Sequence, residues 1–81
     1  MVDFEKRYNG IIKWYNPNKA FGFIFVEDLE GGEKSIFFHK THIRGLVPPT
    51  EGDKVNFNLK EGERGLYCDD IVIGEIGDED E

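Results

Sequence analysis

Eighty-one residues with a net charge of −7 allow one small domain, able to bury only about 60% of the surface its unfolded chain exposes. A single cysteine, Cys68, excludes an internal disulfide and fits a reducing compartment, as a small buried hydrophobe rather than a nucleophile. No run approaches the ~18 apolar residues of a membrane span and the opening MVDFEKRYNG has no apolar signal segment, so a soluble, cytoplasmic protein is expected.

Taken in chain order, Tyr8 to Asn16 (YNGIIKWYN) reads as a first strand, with Trp14 and Tyr15 around Lys13 and Gly10 permitting a bend. Asn16-Pro17-Asn18 is a turn. Phe21 to Val26 (FGFIFV) then alternates so that Phe21, Phe23 and Phe25 share one face and Gly22, Ile24 and Val26 the other. A second turn falls at Glu30-Gly31-Gly32-Glu33. Ile36-Phe37-Phe38-His39 repeats the two-faced pattern, with Ile36 and Phe38 opposed to Phe37 and His39.

The connection from Lys40 to Lys54 carries Gly45, Pro48, Pro49 and Gly52. Val55, Phe57 and Leu59 alternate with polar residues as a half-buried strand. Glu61 to Gly65 forms a hairpin loop. The last strand runs from Leu66 to Ile73 with Cys68, Ile71 and Ile73 inward, and its change of parity predicts a bulge between 68 and 71. Residues 75–81 (EIGDEDE) hold five acids and no base, leaving −2 on residues 1–74, so the acidity is mostly that of a solvated, disordered tail. Five short strands predict an all-β, closed or nearly closed barrel.

One barrel of this size has one interior, and Ile24, Val26, Ile36 and Phe38 already supply it. Any single phenylalanine is better read as core. The set Trp14, Phe21, Phe23, Phe25, Phe37 and His39 is better read as an exposed binding face, with Lys13 and Lys19 nearby. Rings interleaved with cations suit unpaired bases, which stack on the rings while lysine and arginine meet phosphates.

These segments resemble a cold-shock domain. Asn9-Gly10-Ile11-Ile12-Lys13-Trp14-Tyr15-Asn16 is similar to that family's G-x-V-K-W-F-N, and Lys19-Ala20-Phe21-Gly22-Phe23-Ile24 to its first ribonucleoprotein-type motif, K-G-F/Y-G-F-I. Ile36-Phe37-Phe38-His39 resembles the second, V-F-V-H, and Glu51 to Phe57 resembles E-G-Q-x-V-x-F. Arg64-Gly65 to Ile71 follows R-G-P-x-A-x-x-V more loosely.

The resemblance implies a five-stranded antiparallel OB-fold barrel over residues 9–74, preceded by an extension at 1–8. It implies binding of single-stranded RNA or DNA, pyrimidine-rich by preference, in the manner of an RNA chaperone or a regulator of gene expression. By position, Lys13, Trp14, Lys19, Phe21, Phe23, Phe37 and His39 fall on the family's binding face, and Arg64 where a basic residue meets the strand backbone.

Both ribonucleoprotein-type motifs depart from the pattern. Ala20 replaces a glycine, so a positive φ there would be strained. Lys40 stands where an aromatic usually follows the histidine, exchanging a stacking platform for a phosphate contact. The 40–54 connection offers Leu46 and Val47 in place of an aromatic, and Leu66 replaces the proline. Phe25 and Tyr67 extend the aromatic surface in compensation.

An enzyme is not expected: His39 and His42 have H-x-x-H spacing, but no further ligand completes a metal site, and they read as a stacking and a loop histidine. Neither metal, cofactor nor small-molecule substrate is expected. A monomer is expected over a dimer. The alternative is an OB-fold interaction module that docks a protein on the same aromatic patch.

Overall fold

The computed structural model describes residues 3–27, 29, 34–45 and 47–74. The turn expected at Glu30–Glu33, Leu46 and the acidic run 75–81 lie outside the described residues. The described residues form five strands: β1 (Arg7–Asn16), β2 (Phe21–Val26), β3 (Ser35–His39), β4 (Lys54–Gly62) and β5 (Gly65–Ile73). They hydrogen-bond in the order β1-β2-β3-β5-β4 and close into a barrel. Four neighbouring pairs are antiparallel. The closing pair, β3 with β5, is parallel through Phe37 and Tyr67. The antiparallel OB-fold barrel expected from the sequence is present, with one parallel pair, because an odd number of strands cannot alternate in direction all the way round. The long connection after β3 begins with a single 3-10 turn, Lys40–His42, capped by the His39 side chain.

Alternation sends one face of every strand inward. Tyr8 and Ile12 from β1, Ile24 and Val26 from β2, Ile36 and Phe38 from β3, Val55, Phe57 and Leu59 from β4, and Cys68 and Ile71 from β5 are buried together. Ile73, expected inward, is only half-buried at the edge of this cluster. Burial pushes the Cys68 thiol far above its ordinary pKa and keeps it protonated, as expected of a packed hydrophobe. β1 starts at Arg7, ahead of the motif at Asn9, and Tyr8 belongs to the core.

Two irregularities re-aim side chains. In β1, Ile12 faces Ile24 and Trp14 faces Phe23, so Lys13 is an extra residue against β2. Without that bulge Trp14 would follow Ile12 into the core; with it, Trp14 turns outward and Tyr15 inward, stacked on Phe38 at 5.8 Å. The irregularity therefore falls at Lys13 and not at Gly10. Gly10 is needed for close approach instead, since a Cβ there would lie 2.7 Å from Ile24 Cγ2.

In β5 the expected bulge is present: Asn56 faces Val72 while Asn58 faces Asp69, leaving one residue too many on β5. Asp70 takes the left-handed region, φ 51°. Its carboxylate receives Arg7 Nη1 at 2.8 Å and the Arg44 guanidinium, so the kink is fastened to β1 and to the chain beyond the 3-10 turn. Arg7 also donates to Asn56 Oδ1 and Asn58 Oδ1 on β4.

Candidate nucleic-acid interface

The register places the outward rings in rows across the barrel. One row runs Trp14, Phe23, Phe37, Tyr67 over β1, β2, β3 and β5, each directly opposite the next. A second row holds Asn16, Phe21 and His39, and a third Ile11, Phe25 and Ser35. Trp14, Phe21, Phe23 and Phe37 form one cluster, with ring centroids 5.5 Å apart for Trp14–Phe21 and 6.2 Å for Phe23–Phe37. Edge-on and tilted contacts of this kind hold each ring while leaving part of a face open. Trp14 is 40% exposed and Phe37 37%. Phe21 and Phe23 are half-buried by their neighbours.

Phe25 is exposed on the same face but makes no ring contact with this cluster among the described residues. Beside it, Lys13 Nζ lies 3.4 Å from Ser35 Oγ. Lys19, Lys40 and Arg64 are exposed, and none forms an ion pair with another described residue. Lys19 stands in the turn between β1 and β2. Asn16 Oδ1 shapes this turn by accepting from the backbone N–H groups of Asn18 at 2.9 Å and Lys19 at 3.2 Å. Lys40 opens the 3-10 turn and Arg64 tips the hairpin between β4 and β5.

Ala20 has φ 63°, the strained conformation expected where it replaces glycine. Hydrogen bonds hold it on both sides: its N–H donates to Asn16 O at 2.7 Å, and its carbonyl accepts from Lys40 N at 2.8 Å. Gly22 admits no side chain, because a Cβ would lie 2.9 Å from Tyr15 Cα. These constraints fix the backbone between Phe21 and Phe23, so both rings leave the strand at a set angle.

His39 accepts the Thr41 N–H on Nδ1 at 3.2 Å. A neutral His39 therefore carries its proton on Nε2. His42, read from sequence as a loop histidine, belongs to the surface as well. Its Nδ1 lies 2.7 Å from Asp69 Oδ1, and its ring centroid is 5.2 Å from that of Tyr67. Partial burial raises the Asp69 pKa. The His42 hydrogen bond outweighs it, with the Asp70 backbone and the charges of His42 and Lys60, and holds the carboxyl below its ordinary value. A groove of ≈ 590 Å³ runs beside this pair, lined by Phe23, Phe37, His42, Arg64, Leu66 and Tyr67 among others. The one sequence signal for His42 is its H-x-x-H spacing, read as that of a loop histidine, and it names no partner on β5. Among the described residues no group of three or more His, Cys, Asp or Glu could hold a metal ion. No helix among them is long and apolar enough to cross a membrane.

A closed five-stranded barrel with this strand order and an aromatic outer face is an OB-fold barrel. The 'cold-shock' DNA-binding domain model matches residues 8–73, and the chain belongs to that family. It is 36% identical over 69 residues to the major cold shock protein CspA of Pseudomonas aeruginosa, covering 85% of this chain and 97% of that one. It is 37% identical over 70 residues to the cold shock-like protein CspG of Escherichia coli, covering 84% and 96%. Cold shock protein CspD of Bacillus subtilis is 41% identical over 66 residues, covering 79% and 94%. Among solved structures, Drosophila Unr CSD456 shares the fold with a TM-score of 0.72 at 23% identity. The match covers 89% of this chain and 28% of that one.

Proposed function

We propose that the protein binds single-stranded RNA or DNA by stacking unpaired bases on Trp14, Phe21, Phe23 and Phe37. Phe25, His39 and Tyr67 flank this platform, and Lys13, Lys19, Lys40 and Arg64 meet the phosphates. The observation that carries this reading is the row of outward rings, Trp14 and Phe37 exposed and Phe23 and Tyr67 half-buried, on a barrel whose core is already complete without them. Each stacked base contributes about 1–3 kcal/mol. With −7 on the chain, long-range attraction to phosphate is weak, so stacking dominates affinity. Tolerance of stacking for any base fits a chaperone or regulator of many transcripts, with a preference for pyrimidine-rich strands.

Trp14, the only tryptophan, reports on this surface. Its fluorescence is to be titrated with oligo-dT, oligo-dA and duplex DNA at two salt concentrations. Saturable quenching by oligo-dT and a weaker response to duplex are expected. Phe21→Ala and Phe37→Ala each lower affinity by about 1–3 kcal/mol with little loss of fold. Lys13, Lys19, Lys40 or Arg64 changed to Glu flattens the salt dependence, by about 0.7 in log–log slope for each phosphate no longer neutralised. A folded protein whose Trp14 ignores every oligonucleotide overturns the proposal and leaves a protein partner for the aromatic face.

A further inference from the structure

The row Trp14–Phe23–Phe37 continues in register across the parallel closing pair to Tyr67, and on to Lys60 of β4. Unlike the other neighbours in this row, the rings of Phe37 and Tyr67 do not touch, and both line the ≈ 590 Å³ groove. We propose that this groove is a separate subsite for one unpaired base of the bound strand. Tyr67 and His42 are its stacking rings, and Arg64 and Lys60 lie on the phosphate path. The inference rests on the strand-binding reading above and carries it over the seam of the barrel.

Both rings are held for this task. Tyr67 lies against Gly62, where a Cβ would stand 3.3 Å from Tyr67 Cε1. His42 is anchored through Nδ1 to Asp69 at 2.7 Å, which sets the plane of its ring beside Tyr67. Fixed rings lose little freedom when a base stacks on them, which is the condition for a stack to yield its full affinity. Asp69 is a positioning residue here: it acts through His42. Apolar walls from Phe23, Phe37 and Leu66 complete the groove, so a flat heterocycle fits it better than a phosphate does.

The test is a length ladder of oligo-dT carrying 2-aminopurine at one end or the other. It is bound to wild-type protein and to the His42→Ala, Tyr67→Ala, Tyr67→Leu and Phe37→Ala variants. In the wild type, affinity rises with length until the groove is filled, and the terminal 2-aminopurine is quenched at that length. His42→Ala and both Tyr67 variants keep wild-type affinity for the shorter strands. They lose the last increment, about five- to 150-fold, along with the terminal quenching. Tyr67→Leu keeps apolar bulk without a ring, so its loss reports stacking and not folding. Asp69→Asn, which retains an acceptor for Nδ1, preserves the increment, and Asp69→Ala loses it. Phe37→Ala weakens binding at every length.

Wild-type affinity and quenching in the folded His42 and Tyr67 variants at all lengths would overturn the inference while leaving strand binding intact. An equal loss at all lengths would overturn it too, placing these rings in the main platform. Wild-type protein that binds no oligonucleotide at all would fail the underlying reading instead.

Discussion

Ala20 shows how a single residue can set the geometry of a surface at a cost to stability. At φ 63° its Cβ is crowded by its own backbone, a penalty of roughly 1–2 kcal/mol that glycine escapes. Glycine would in turn lose about 0.5–1 kcal/mol in backbone entropy on folding. Ala20→Gly is therefore expected to stabilise the protein by about 0.5–1 kcal/mol, read as a raised thermal midpoint with strand affinity unchanged. A lowered midpoint would show that the hydrogen bonds to Asn16 and Lys40 hold alanine without strain. This position was legible beforehand, because K-A-F-G-F departs visibly from K-G-F-G-F. Trp14 is read outward with the other rings, but the device that turns it is not legible: Trp14 and Tyr15 are adjacent aromatics, so either could face the core, and no change of parity marks the extra residue at Lys13 as it does in β5.

Between elements, the 3-10 turn and β5 are held together by His42 and Asp69, 27 residues apart in the chain. The strands themselves could be read from alternation, since two apolar faces on one short strand leave little choice but a core and a surface. The His42 contact could not be read. It forms only once β5 closes against β3 in parallel, and nothing near His42 in the sequence announces Asp69.

The pairing also has a signature in pH. Asp69 titrates below its ordinary value when folded, so its contribution to stability is complete above the unfolded pKa of about 3.9. It is lost as pH falls through the lower folded value. Asp69→Asn should therefore be less stable than wild type near neutrality, with the gap in thermal midpoint closing below about pH 4. A gap independent of pH would mean that the charge on Asp69 adds nothing to the fold.

At the scale of the molecule, the barrel closes around one small core, and Cys68 reports on it from the centre. The thiol has no exposed surface and its pKa is raised by burial, so reaction with iodoacetamide requires opening of β5. Alkylation at neutral pH is expected to run at least about a thousandfold slower than in denatured protein, matching the small unfolded fraction of a stable domain. A bound oligonucleotide should slow it further. A rate near that of denatured protein would mean that β5 detaches locally from an otherwise folded barrel.

Closure of the five strands into a ring has one more consequence. Closure leaves little unpaired backbone edge among the described strands, so what meets their outer face meets mainly side chains. Core and surface residues alternate along the same strands, and the backbone pairing is indifferent to which ring points outward. The outer face can therefore vary one residue at a time, as at Lys40, His42 and Tyr67, without renegotiating the fold.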